Sequence, residues 1–220
     1  MGAAREVEVP GPGFSVTASV HGEGATAVIL GHGAGGTRKT PFLVRVAESV
    51  AGSGRCAVLY NFRYTDERRR IPDKPQVLEQ TTAAVGEYAR ATLGARHVVH
   101  GGKSMGGRIA SQAVANGMPA SGLVFLGYPL HPPGKTEQLR DAHFGQVNVP
   151  MLFVQGTRDA FARGDRLEAL LRSLGPRARL FRVEGGDHSF VVPKASGRAA
   201  ADVENQIALA LRAWLEDHRL

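Results

Sequence analysis

Three residues of this chain have the types and positions that acyl transfer needs. Ser104 sits in Gly102-Lys103-Ser104-Met105-Gly106, a G-x-S-x-G pattern. In such a pattern the serine occupies a sharp turn between strand and helix, and the glycines remove Cβ atoms that would clash there. A serine hydroxyl is a weak nucleophile until a base takes its proton. The base is usually a histidine, with an acid that orients it and stabilises its charged form. In an open sheet of alternating strands and helices, such groups belong just beyond the carboxyl ends of strands. Asp159 follows the apolar run ending Val154-Gln155-Gly156, and His188 follows Val183 through Gly185 and Gly186. Competing acids fit less well. Asp165 reads as a helix-capping residue, and Asp187 is too close in the chain to bond the neighbouring ring in the usual way.

Attack on a carbonyl also creates negative charge, which backbone N–H groups must receive. One donor is expected at Met105, directly after the serine. The other is expected in His32-Gly33-Ala34-Gly35-Gly36, a loop of small residues after an early apolar strand. Ala34 is the chosen donor, with Gly35 the alternative. His32 reads as a histidine that holds this loop rather than as a proton carrier.

The elements that must position these groups are legible as periodicity. Residues 1–13 read as an N-terminal arm and 14–21 as an edge strand. Continuous apolar strands are expected at 25–30, 56–62, 96–100, 122–130, 149–155 and 177–183. Helical spacing covers 41–51, 76–93, 106–116, 166–174 and 199–216, with a short candidate helix at 135–141. Residues 63–75 are polar and charged and read as a loop. Strands alternate with helices after the first. The expected fold is α/β, a mostly parallel twisted sheet of about 7 strands with helices on both faces. One domain, 1–220, accounts for the chain.

Composition narrows the function classes. Hydrophobic residues make up 43% of 220, which suits a packed core rather than disorder. No apolar run approaches the roughly 18 residues of a membrane span. The start lacks a secretory layout, and Met1-Gly2 is followed by Glu6 where a myristoylation pattern needs Ser or Thr. A cytoplasmic location without membrane association is therefore expected. The single cysteine, Cys56, opens an apolar run and reads as a buried thiol. No Cys/His cluster has zinc-site spacing, so neither metal nor cofactor is expected. The net charge is +7, and only five of the 27 basic residues are lysine. Arg68-Arg69-Arg70 is flanked by Asp66, Glu67 and Asp73, which reads as a solvated or substrate-facing loop. A nucleic-acid partner is not expected.

The four separated motifs, in the order His32 loop, Ser104, Asp159 and His188, resemble the α/β-hydrolase fold over nearly the full length. The runs Gly102-Lys103-Ser104-Met105-Gly106-Gly107-Arg108 and Gly156-Thr157-Arg158-Asp159 are similar to a dienelactone-hydrolase-like branch that includes the testis-expressed and NSL-complex hydrolase-like proteins. The resemblance implies a serine hydrolase with Ser104, Asp159 and His188 as triad. Dienelactone hydrolases proper carry cysteine at the turn, so Ser104 departs from that reaction. Large lids in this fold follow the strand that ends here near Leu130. Residues 130–150 leave room for little or no lid, which implies an open site for a small acyl ester or thioester. Tyr128, Phe161 and Phe190 are expected as walls. Arg38, Lys39, Lys103 and Arg158 place positive charge near the mouth, which points to an anionic small-molecule acyl substrate, with plain surface charge the equal alternative. A catalytically silent scaffold for protein interaction is the rival reading of the whole chain. The oligomeric state is not legible.

Overall fold

The protein is described by a computed structural model covering residues 4–220. An eight-stranded sheet organises it, in the order β1-β2-β4-β3-β5-β6-β7-β8. The strands are β1 (Arg5–Gly11), β2 (Phe14–His21), β3 (Thr26–Gly31), β4 (Cys56–Tyr60), β5 (His97–Lys103), β6 (Gly122–Leu126), β7 (Met151–Gly156) and β8 (Ala178–Val183). β1 and β2 form an antiparallel hairpin, and β2 is antiparallel to β4. All other pairings are parallel. The helices are α1 (Pro41–Ala51), α2 (Arg63–Asp66), α3 (Pro75–Ala91), α4 (Met105–Ala115), α5 (Gly164–Leu174) and α6 (Ala200–Asp217).

Alternating strand residues serve opposite faces. Val28 and Leu30 of β3, with Leu59, Val99 and Val154, pack under α1 and α6. Ala27 and Ile29 of the same strand, with Val58 and Val98, pack under α3 and α4. A third cluster joins Leu123, Phe125 and Phe153 to Leu167 and Leu170 of α5. Burial on both faces explains why the central strands read as unbroken apolar runs. Trp214 of α6 is 1% exposed and anchors one face.

Several expectations need correction. Most of the supposed arm is β1, so the sheet has eight strands and β2 is interior. Val7 and Val9 alternate with glutamates, the pattern of an edge strand, and Val9 is fully buried. Pro10 lies in this edge strand, where a missing N–H is tolerated. Residues 1–3 of that arm, with the Met-Gly start, lie outside the described residues. The 63–75 loop begins with the short helix α2, whose Asp66 accepts hydrogen bonds from Thr17 N–H at 2.7 Å and Asn61 Nδ2 at 2.8 Å. No helix forms at 135–141; a short 3₁₀ turn follows instead at Ala142–Gln146. The strand expected to run to Leu130 stops at Leu126, because Gly127 adopts φ +73°. Among the described residues, no helix is long and apolar enough to cross a membrane.

Candidate active site

β5 delivers Ser104 directly into α4. The serine has φ 50° and ψ −112°, a left-handed backbone that non-glycine residues rarely adopt. Tight packing against β3 holds it there. A Cβ on Gly102 would lie 2.1 Å from the Gly31 carbonyl oxygen, and one on Gly106 would lie 2.2 Å from the same atom. Only glycine fits at either position, so the pattern's two glycines clamp the turn onto the neighbouring strand.

Ser104, His188 and Asp159 form one hydrogen-bonded chain. The Ser104 hydroxyl lies 2.9 Å from His188 Nε2, and His188 Nδ1 lies 2.7 Å from Asp159 Oδ2. The geometry fits a tautomer in which Nδ1–H donates to the carboxylate and Nε2 accepts from the hydroxyl. The Asp159 side chain is fully buried, whereas that of His188 is 21% exposed. A buried carboxylate needs partners. Gln155 Nε2 donates to Oδ2 at 2.5 Å, and the Phe161 N–H donates to Oδ1 at 2.8 Å. Gln155 is itself fixed, since its Oε1 accepts the Tyr128 N–H at 2.8 Å. The loop carrying His188 is built around Asp187. Its Oδ1 accepts the N–H groups of Ser189 and Val191 at 2.8 and 2.9 Å, and its carbonyl accepts that of Phe190 at 3.0 Å.

The His32 loop stands beside the serine. A Cβ built on Gly33 would lie 3.5 Å from Ser104 Cβ. The loop turns through Ala34 and Gly35, with the Gly36 N–H donating to the Gly33 carbonyl at 3.0 Å and Gly35 at φ +76°. His32 holds it. Its ring accepts the Phe62 N–H at Nε2 (3.2 Å), and its Nδ1 meets the Gly33 carbonyl at 2.7 Å. Burial depresses the His32 pKa, which suits a neutral structural imidazole. Met105 opens α4, so its N–H lies at the positive end of the helix dipole.

The residues expected to touch substrate divide into two groups. Phe161 lies against His188, with ring centroids 4.2 Å apart. Phe190 packs on Phe42 at 5.4 Å, two residues after His188. Three others have partners elsewhere. Arg38 is buried and turned back on β2, donating to Ser19 and Thr17 and pairing with Glu6 at 2.9 Å. Lys39 pairs with the same glutamate at 3.3 Å. Glu6 belongs to the unforeseen strand β1, so the sequence offered no counter-ion for them. Tyr128 is fully buried among Phe125, Phe144 and Phe153, and its hydroxyl donates to the Arg140 carbonyl at 2.6 Å.

Two participants were missed, Gln155 and Asp187, and Lys103, expected as a charge at the mouth, instead donates to the His188 carbonyl. Gln155 is a polar residue in an apolar strand four positions before Asp159, a signal that was available. Cys56 is a buried free thiol, its pKa pushed up to about 11 by desolvation, and it takes no part. Among the described residues, no group of three or more His, Cys, Asp and Glu is arranged to hold a metal ion.

Solved structures share this fold. A serine hydrolase without lid from Xanthomonas campestris superposes with TM-score 0.76 at 19% identity, covering 96% of this chain and 94% of that one. A dienelactone hydrolase from Anabaena variabilis ATCC 29413 gives 0.76 at 19% identity, covering 98% and 97%. An alpha-beta serine hydrolase homologue from Coxiella burnetii gives 0.75 at 17% identity, covering 94% and 97%. The sequence model described as an alpha/beta hydrolase domain matches residues 24–216, a span that contains the serine turn, the His32 loop and both partner residues. By that match over most of its length, the chain belongs to the alpha/beta hydrolase family.

Proposed function

We propose that the protein is a serine hydrolase that cleaves a small acyl ester or thioester through an acyl-enzyme. The observation that carries this reading is the continuous hydrogen-bonded chain from Ser104 Oγ through His188 to Asp159. Ser104 Oγ attacks the acyl carbon while its proton passes to His188 Nε2. The resulting oxyanion is received by the N–H groups of Met105 and Ala34, with Gly35 as the alternative second donor. Asp159 stabilises the imidazolium. The bond to the leaving oxygen or sulfur then breaks, and His188 returns the proton to it. Water attacks the acyl-serine, gives its proton to His188, and Ser104 leaves with that proton restored.

The substrate class rests on the shape of the site. Segment 127–150 contributes a 3₁₀ turn and no helical lid, which favours a small acyl group over a long chain. Phe161 offers an apolar surface beside the imidazole. Arg38 is buried against β2, so a preference for an anionic acyl group would rest on the exposed Lys39 and Arg158. Turnover of p-nitrophenyl esters by chain length, beside a small acyl thioester series, tests the reading. The expected result is fastest turnover of short acyl groups and none above background in Ser104→Ala. Folded wild type that turns over no ester or thioester would instead favour a silent scaffold.

A further inference from the structure

Lys103 has no place in the reaction as written, yet its side chain runs through the centre of the site. It is the last residue of β5, next to Ser104. Its Nζ donates to the backbone carbonyl of His188 at 2.6 Å. The same ammonium stands 5.4 Å from the centroid of the Phe190 ring, two residues further along that loop. The route is prepared. A Cβ on Gly127 would lie 3.0 Å from Lys103 Nζ, 3.2 Å from the His188 carbonyl and 3.6 Å from His188 Nδ1. Any side chain at 127 would crowd the ammonium and the loop together. Nearer its root, Lys103 Cγ lies 3.8 Å from where a Cβ on Gly33 would stand. One side chain therefore leaves the serine strand, passes beside the His32 loop and reaches the histidine loop.

We infer that Lys103 is a positioning residue whose ammonium ties the His188 loop to the serine turn and so holds the imidazole in line with Ser104. This rests on the serine-hydrolase reading for its catalytic consequence, but the tie itself is independent of turnover. A charge-assisted hydrogen bond is stronger than a neutral one, and the aromatic face of Phe190 adds attraction for a cation. Both require the protonated amine. The groups facing it are the His188 carbonyl, Phe190, and the carboxylates of Asp159 and Asp187. Burial outweighs the two carboxylates and pushes the Lys103 pKa down to about 8. Deprotonation would weaken the tie as pH rises through that value.

The test compares wild type with Lys103→Met, Lys103→Arg and the surface control Lys74→Ala. Hydrogen exchange of the amides of residues 187–191 reads the tie, and kcat/KM against pH on a short p-nitrophenyl ester reads its consequence. Lys103→Met is expected to speed exchange in this loop and lower kcat/KM by about tenfold, chiefly through kcat. Wild type is expected to lose activity above roughly pH 8, a limb missing from Lys103→Met. Lys103→Arg, charged at all these pH values, is expected to recover part of the rate without that limb. Lys74→Ala should match wild type in both readouts. Unchanged exchange in Lys103→Met overturns the tie. Faster exchange with wild-type kcat/KM and an intact alkaline limb overturns the positioning role. Wild type that exchanges as expected yet turns over nothing would count against the hydrolase reading and leave the tie standing.

Discussion

Two serines of this protein touch histidines, and they do so seven residues apart in the chain. Ser104 Oγ lies 2.9 Å from His188 Nε2, and Ser111 Oγ lies 2.8 Å from His143 Nε2. The distances are nearly the same and everything else differs. Ser104 sits at a left-handed turn ahead of α4, whereas Ser111 lies within the helix and is fully buried. The Ser111 hydroxyl donates to the Arg108 carbonyl at 2.8 Å, so its proton is already spent on the backbone. His188 has Asp159 behind it. No carboxylate bonds His143, which stacks on Phe144. Burial first, and then the nearby Arg108 cation, push the His143 pKa down to about 4. A Ser–His contact is therefore not itself a nucleophile and base. The acid, the free hydroxyl proton and the strained turn distinguish one pair from the other.

The contrast can be broken most severely at the serines. Ser104→Ala is expected to lower kcat on a short ester by about a million-fold, whereas Ser111→Ala should leave kcat within about twofold of wild type, since it touches no reacting group. Comparable losses in both would erase the distinction. The next largest effect belongs to the acid. Asp159→Asn keeps the shape but favours the wrong imidazole tautomer, with an expected loss in kcat of about ten-thousand-fold. Steady-state rates that stay within tenfold of wild type would show that the buried carboxylate is not needed.

Much of this pairing was legible in the sequence. Ser104, Asp159 and His188 could be chosen because each directly follows an apolar run through or beside glycine, and their chain order fits the fold. The His32 loop was legible for the same reason. What could not be read depended on contacts between distant segments. Arg38 looked free because Glu6, its partner, lay in a stretch of glutamates alternating with valines and ending in Pro10-Gly11, which resembles a tail until β2 pairs with it. Tyr128 reads as a wall, but beyond the end of β6 its ring packs among Phe125, Phe144 and Phe153, contacts that bring together distant segments. Lys103 reads as a cation at the mouth, since nothing local reveals that it reaches past Gly127 to the His188 carbonyl.

Smaller effects sharpen the second pair's structural role. Ser111→Ala leaves the His143 Nε2 without its partner and is expected to cost about 1 kcal/mol of stability, read by denaturant unfolding. An unchanged midpoint would remove even that role. The pH dependence has a fixed sign. The His143 pKa falls from the ordinary 6.5 to about 4 on folding, so the unfolded chain binds a proton before the folded one does. The associated stability is complete above 6.5 and is lost as pH falls towards 4. His100, fully buried with both ring nitrogens unpartnered and pushed down to about 3, acts with the same sign. Replacement His143→Gln should therefore flatten the fall in unfolding free energy between about pH 6.5 and 4. An identical slope in wild type and variant would contradict the buried neutral imidazole.

The most direct test of the account is to find which serine a fluorophosphonate modifies. Trypsin cuts after Lys103 and Arg108, so Ser104 and Ser111 fall in separate peptides that mass spectrometry distinguishes. The account predicts a single adduct on the peptide beginning at Ser104. That adduct should persist in Ser111→Ala and His143→Gln and disappear in Ser104→Ala and His188→Ala. Folded wild type without an adduct, or an adduct that survives in Ser104→Ala, would contradict the assignment of Ser104 as the nucleophile.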